Sequence, residues 1–231
     1  MSLSQGSNTM SLTLYYHPLS SFCMKVLVAL YENDTPFTPH LLEMMDEAKA
    51  AEFRTIWPLG KFPVLRDETR GATVPETSII IEFLQLHYPG PVQLIPKDGA
   101  GALQMRLRDR LFDLYLNMQM QKIVGDRLRP AGQKDPHGVA EARKTIDTTC
   151  SLVDTYIAGK TWIMGDNFTM ADCAAAPALF YTNKVMPLAE NHKNAAAYLD
   201  RLMQRPSFTR VLKEAQPYFE LFPQEEERKT A

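Results

Sequence analysis

Cysteine is scarce, charges of the two signs nearly cancel, and no long apolar run occurs. The 231 residues hold three Cys. Cys23, Cys150 and Cys173 are an odd number at wide spacing, which gives no disulfide framework. Two of them fall in apolar helical stretches, which suits thiols kept reduced and points to a cytoplasmic location. No segment approaches the ~18 consecutive apolar residues of a membrane span. Residues 1–10 are polar, with neither the basic nor the apolar region of a secretory signal, and read as a flexible tail. Lys and Arg total 25 against 27 Asp and Glu, a net charge of −2. That balance supplies no field for nucleic acid or an anionic membrane. Wholesale disorder is excluded too, because 45% of the residues are hydrophobic and the net charge is small.

What is present reads first as alternating strand and helix. Leu12-Thr13-Leu14-Tyr15-Tyr16 favours a pleated surface and stops at His17-Pro18. Ser20 precedes a helix whose apolar Cys23, Val26, Leu27 and Leu30 recur at i, i+3, i+4 and i+7, and Asn33-Asp34 ends it. Residues 37–42 read as a second strand, which Pro39 assigns to a sheet edge. Residues 62–65 and 72–74 are two more strands, joined by a turn containing Arg70-Gly71. Between the second and third strands the sequence shows only a connection. A helix follows from about Ser78 to His87.

From Tyr88 to Gly101 the chain turns rich in Pro and Gly, a linker composition. Beyond it the pattern is helical. Leu103, Leu107, Leu111, Leu114 and Met118 form one stripe of a long helix. Residues 140–157 form another, with Gly159 suited to its C-terminal cap. Residues 195–203 and 208–215 supply two more, split at Arg205-Pro206. No internal repeat or low-complexity segment occurs. The expected organisation is a flexible tail over 1–11, an α/β domain over 12–88, a linker over 89–101, an all-α domain over 102–222 and a charged tail over 223–231.

Four places carry residues fit for chemistry. Ser20-Ser21-Phe22-Cys23 opens the first helix, where N–H groups and the helix dipole favour an anion, including a thiolate. Ser20 and Cys23 occupy the two positions of a C-x-x-C motif with the first thiol replaced. A hydroxyl there can donate to a thiolate brought by another molecule, but it cannot open a dithiol reaction. The same residues also read as a plain N-cap and a buried filler. Lys61-Phe62-Pro63-Val64 begins a strand with proline. A trans bond is the common case, whereas a cis bond would turn the N–H and C=O of Phe62 toward a bound peptide. Pro75-Glu76-Thr77-Ser78 places a carboxylate and hydroxyls at a helix start. They read either as caps or as a grip on a zwitterion, with Glu76 on its ammonium and Thr77 on its carboxylate. Thr169-Met170-Ala171-Asp172 is a capping box with Phe168 and Cys173 as its staple, and serves folding.

In this order the features resemble the cytosolic glutathione transferase family over residues 12–215. The most specific pieces are Gly60-Lys61-Phe62-Pro63-Val64-Leu65, Pro75-Glu76-Thr77-Ser78 and Phe168-Thr169-Met170-Ala171-Asp172. The resemblance implies a thioredoxin-like N-terminal domain that binds glutathione. It also implies an all-α C-terminal domain that supplies most of the pocket for an apolar, electrophilic second substrate. In a serine-type enzyme, theta- or zeta-like, Ser20 would activate the thiol and Phe62 before Pro63 would hold the cysteinyl part. Glu76 and Thr77 would bind the γ-glutamyl end, and Lys61 the glycine end. Tyr16 is the rival to Ser20, near where tyrosine-type classes keep their phenol. Phe22 stands where cysteine-type classes carry a thiol, which argues against a mixed disulfide with glutathione. Ser-Ser-Phe-Cys departs from the Ser-Ser-Cys of zeta-like isomerases. The second-substrate pocket is expected to draw on Leu19, Phe22, Tyr115, Met118 and Gln119. Glutathione is the implied co-substrate in detoxification chemistry, with no metal, and a homodimer is the implied assembly. A scaffold protein without turnover and a glutaredoxin-like reductase are the competing functions.

Overall fold

The computed structural model describes residues 11–224. Of the tails expected over 1–11 and 223–231, residues 1–10 and 225–231 lie outside the described residues. Strand β1 (Leu12–Tyr16) buries Leu12 and Leu14 on one face and turns Thr13 and Tyr15 to the other, as the two-residue pleat requires. It pairs parallel with β2 (Thr38–Leu41) and antiparallel with β3 (Val64–Asp67). Strand β4 (Ala72–Pro75) completes the order β2-β1-β3-β4. Pro39, which has no N–H to give a ladder, therefore sits in an edge strand. Helices α1 (Ser21–Glu32) and α3 (Thr77–His87) share the core with Leu12, Leu14 and Leu65.

The other face of the sheet is covered by α2 (Glu47–Ile56), where the sequence showed only a connection. This helix buries just Ala50 and Phe53, so it carries almost no apolar period to read. It starts at Asp46, whose Oδ1 accepts from the N–H groups of Ala48 and Lys49 at 3.0 and 3.2 Å. Phe53 packs with Leu42 and Val64 in a small separate core.

The rest of the chain is helical. Helix α4 (Gly99–Arg110) runs through a π-helical turn (Leu111–Asn117) into α5 (Met118–Arg127). There follow α6 (Pro136–Ile157), α7 (Met170–Val185), α8 (Lys193–Gln204), α9 (Pro206–Ala215) and a closing 3₁₀ segment, Gln216–Leu221. Asp98 caps α4 by accepting from Gly101 N–H at 2.6 Å, so residues 99–101, assigned to a linker from composition, form the first helical turn. The stripe of Leu103, Leu107, Leu111, Leu114 and Met118 does lie along the long helix, but all except Leu111, which packs against the core, are exposed; the inward side is Ala102, Met105, Phe112 and Leu116. Helix α7 sits at the centre of this unit and packs against α1, α4, α5 and α8. Its start is the expected capping box: the buried Asp172 carboxylate accepts from the N–H and hydroxyl of Thr169, both at 2.8 Å. Asp172 also takes Ile163 N–H and the Tyr198 hydroxyl. Phe168 and Cys173 beside it are both buried.

The two units meet across a buried charge. Lys25 of α1 is 1% exposed. Its ammonium lies 2.6 Å from Asp109 Oδ1 and 2.7 Å from Asp113 Oδ2, and it donates to Ser78 Oγ at 3.0 Å. Ser78 in turn donates to Asp109 Oδ2 at 2.6 Å. Burial alone would pull the Lys25 pKa down, but Asp113 and Asp109 more than offset it and the pKa is raised. Lysine 25 therefore stays charged. Replacing it strands two carboxylates away from water, a type of change that costs about 3–5 kcal/mol. Lys25→Met is expected to lose that much in urea denaturation, and adding Asp109→Asn and Asp113→Asn to the same chain should recover most of it.

Candidate functional site

The four-residue turn between β1 and α1 sets the first wall of the site. Ser20 N–H donates to the His17 carbonyl at 3.0 Å, and Ser20 Oγ accepts from Cys23 N–H at 3.3 Å as the N-cap of α1. A hydroxyl that accepts from the backbone keeps its own hydrogen free for another acceptor. The N-cap reading and the donor reading of Ser20 are thus compatible. Cys23 is fully buried one turn further on, and burial pushes its thiol up to about 12. It is filler, as one of the two readings had it, and no nucleophile near neutral pH.

The second wall is the start of β3. Gly60 adopts φ +61 and the Phe62–Pro63 bond is cis, the rarer of the two forms. Phe62 and Pro63 precede the ladder, which begins at Val64. The third wall is the start of α3, and it is conformationally unusual. Glu76 stands at φ 68, ψ 117 as the N-cap residue and makes no side-chain capping bond. A non-glycine residue in that region costs on the order of 1–3 kcal/mol and is held by its surroundings. The helix starts at Thr77, one residue earlier than the pattern indicated.

These walls enclose one cavity of about 420 Å³. Ser20, Lys61, Phe62, Pro63, Glu76 and Thr77, drawn from separate segments of the chain, all line it. The long helix of the second unit closes the far side with Arg110, Asp113, Leu114, Met118 and Gln121, while Phe22, Trp57, Gly60 and Ser78 fill the remaining wall. Of the residues expected for a second substrate, Phe22 and Met118 face this cavity. Leu19, Tyr115 and Gln119 are not among its lining. Leu19 instead turns its carbonyl to the Tyr181 hydroxyl at 2.8 Å, and the Gln119 amide donates to the Leu114 carbonyl at 3.2 Å. Tyr16 is not in the lining either. Its phenol pKa is raised by burial first, then by Glu214 and Tyr218, so it stays a protonated hydroxyl, but one outside this lining.

Arg110, Asp113, Leu114 and Gln121 escaped the sequence reading because only the docking of the two units brings that face of the helix here. The π-helical turn was a further obstacle, since it breaks the 3.6-residue spacing that would rank one face. Asp113 is the cavity's link to the buried charge cluster. Burial holds its carboxyl above the ordinary carboxylate range, Lys25 opposes that shift, and Asp109 adds to it. A smaller cavity of about 300 Å³ between β2 and α2 holds none of the residues expected to bind glutathione or a second substrate.

Residues 14–92 match the glutathione S-transferase N-terminal domain, and residues 136–201 match the glutathione S-transferase C-terminal domain. The chain belongs to the glutathione S-transferase family. Among curated members it is 27% identical over 185 residues to human glutathione S-transferase theta-1, covering 74% of this chain and 73% of that one. It is 24% identical over 202 residues to glutathione S-transferase GstB of Escherichia coli, covering 87% and 97%. Among solved structures, a glutathione S-transferase from Methylobacterium radiotolerans in complex with glutathione sulfonate is 27% identical, with a TM-score of 0.76 and coverage of 95% and 98%. A glutathione S-transferase from Methylobacillus flagellatus with glutathione bound shares the fold at a TM-score of 0.79 and 24% identity, covering 87% and 98%. The mixed four-stranded sheet with its flanking helices is the thioredoxin-like half of this family fold, and the helical unit is its all-α half.

Backbone conformation at Glu76 gives a direct test of how this transferase-family site is held. At an N-cap glycine is already tolerated better than alanine, and a positive φ widens that difference. Glu76→Gly is therefore expected to be about 1 kcal/mol more stable than Glu76→Ala in urea denaturation.

Proposed function

We propose that this chain is a glutathione transferase that joins the thiolate of glutathione to an apolar, electrophilic second substrate. The observation that carries the reading is the convergence of Ser20, Lys61, Phe62, Pro63, Glu76 and Thr77 on one cavity. Glutathione is a zwitterionic peptide, and this set offers it a complement at each end. Glu76 takes the γ-glutamyl ammonium, and Thr77 with the first N–H groups of α3 takes the adjoining carboxylate. The main chain of Phe62 pairs with the cysteinyl unit, and Lys61 faces the glycine carboxylate. The thiol then falls to Ser20.

There the reaction reduces to stabilising a negative sulfur. Only the thiolate attacks, so lowering the thiol pKa raises the reactive fraction near neutrality. The Ser20 hydroxyl donates to the sulfur while the N-terminal end of α1 adds its partial positive charge. One charge-assisted hydrogen bond supplies about 1.5–3 kcal/mol, which is one to two pKa units at about 1.4 kcal/mol each. The electrophile lies on the apolar flank made by Phe22, Trp57, Leu114 and Met118. The new carbon–sulfur bond forms as the electrophile's leaving group departs, or as its π bond accepts the electron pair.

Two other functions are weaker. A thiol–disulfide reductase needs an exposed low-pKa thiol, and Cys23 is buried with its pKa raised. A scaffold without turnover has no need of a complete set of peptide-binding groups, although fold alone does not fix function. Cytoplasmic residence fits three buried, unpaired thiols. Among the described residues no helix is long and apolar enough to cross a membrane.

The homodimer reading has support on the outer face of α3 and α4. Arg106 grips Glu82 there with two bonds of 2.8 and 3.0 Å. Around that pair Ile79, Leu86, Leu103 and Leu107 stand 51, 74, 65 and 54% exposed, a cluster that suits a two-fold interface rather than water.

Two outcomes test these readings. Calorimetric titration with reduced glutathione in buffers of differing ionisation enthalpy should show binding with net proton release. Ser20→Ala should then lower turnover about 10- to 100-fold with glutathione affinity nearly unchanged, whereas equal losses in both would remove Ser20 from the catalytic role. In light scattering the protein should have the mass of two chains. Leu103→Glu with Leu107→Glu should shift it to one chain while leaving the circular dichroism spectrum intact.

A further inference from the structure

Between β1 and α1 the chain reverses in four residues, His17 to Ser20, and Pro18 has no N–H to contribute. Two of the remaining amides end on His17 itself. Leu19 N–H donates to the ring Nδ1 of His17 at 3.2 Å, and Ser20 N–H donates to the His17 carbonyl at 3.0 Å. A side-chain acceptor that takes the N–H two residues on is the geometry of an Asx turn, built here with an imidazole in place of an Asn or Asp oxygen. The substitution has a chemical consequence. Only neutral imidazole offers a bare Nδ1, with its proton on Nε2.

The ring is held by a residue distant in sequence. Tyr218, in the closing 3₁₀ segment, packs edge-on against it with ring centroids 5.4 Å apart and planes at 72°. The other titratable groups around this turn are uncharged or already partnered. Tyr16 is raised by burial, and so is Cys23, whose shift a backbone hydrogen bond from His17 partly opposes. Tyr181 from α7 bonds the Leu19 carbonyl. Glu214 from α9 is engaged by Tyr31 at 2.6 Å and Arg210 at 2.9 Å. Burial is the cause that holds the His17 pKa below its ordinary 6.5.

We infer that His17 is a positioning residue whose neutral imidazole, braced by Tyr218, folds the turn that presents Ser20 to the cavity. The inference deepens the transferase reading and rests on it for the activity readout, while its structural half stands without glutathione. Protonation turns Nδ1 from acceptor to donor, so Leu19 N–H then faces another N–H, and of its two bonds to His17 the turn keeps only the backbone bond from Ser20. The sign follows from the lowered pKa. The turn is intact through the neutral range and loosens as pH falls below the ordinary histidine range.

The test uses His17→Asn, which keeps the acceptor without a proton equilibrium, and His17→Phe, which keeps a ring against Tyr218 without the acceptor. Amide hydrogen exchange of the free protein is read at Leu19 and Ser20 between pH 5 and 8. Protection should fall on acidification in the wild type after correction for intrinsic exchange. It should persist in His17→Asn, and it should be lost at every pH in His17→Phe. With glutathione and an aryl halide electrophile, His17→Phe should lose about five- to tenfold in kcat, the size of one hydrogen bond, with KM for glutathione within twofold. His17→Asn should restore kcat. Its acid limb should be shallower by one proton, leaving the step due to the bound thiol. Wild-type protection and turnover in His17→Phe, or an unchanged acid limb in His17→Asn, would overturn the inference. Should the wild type neither bind nor turn over glutathione, the transferase reading falls, and the exchange data still decide the role of His17.

Discussion

One ammonium group with no access to water organises this molecule. Lys25 projects from α1 into the seam between the sheet unit and the helical unit, where Asp109, Asp113 and Ser78 surround it. A buried charge tolerates little misplacement, because any loosening leaves it or its partners unsatisfied. The cluster therefore does more to fix where α4 lies against α1 and α3 than to add net stability. That alignment brings Arg110, Leu114 and Met118 opposite Ser20 and Glu76. A second tie repeats the logic at the other end of α1. Glu32 receives both arms of Arg205 at 2.6 Å, and the guanidinium lies over the Phe168 ring at 3.9 Å. With both ends of α1 fixed, the N-terminus of that helix is a stable platform for its cap.

The site is assembled from backbone ends rather than from regular structure. Ser20 caps α1, Phe62 and Pro63 precede β3, and Glu76 caps α3 in a positive-φ conformation. At such ends N–H and C=O groups are left over from helix or ladder, and these are the groups a peptide ligand needs. The strained Glu76 and the short turn at His17 are features the rest of the fold must hold in place. The core beneath them, continuous from Leu14 through Val26 and Ile80 to Ala175, supplies that support.

Sequence legibility followed the strength of local chemistry. The strand at Leu12, the Ser20 cap, the edge position of Pro39 and the capping box at Thr169 each depend on neighbours a few residues away, and each appears where its pattern indicated. Helix α2 left no such mark, because it rests on the surface of the sheet and buries only two residues. The first turn of α4 was hidden for a related reason. Its glycines suit a linker, and only the Asp98 cap makes them helical. The leucine stripe of α4 was visible, but its direction was not, since apolar periodicity identifies a face without saying what the face meets.

What the sequence by itself determined is the set of local instructions: the caps, the proline-led strand, the helix start at Glu76 and the family those motifs resemble. These are decided by hydrogen bonds and torsions spanning a few residues. What only the tertiary structure decided is which of two special residues faces the cavity, Ser20 or Tyr16, and which side of the long helix meets it. Those choices depend on the closing of the sheet unit against the helical unit around Lys25. The contacts that set them join residues roughly 50 to 90 positions apart, such as Lys25 to Ser78 and to Asp113, and no local pattern encodes a pairing at that range.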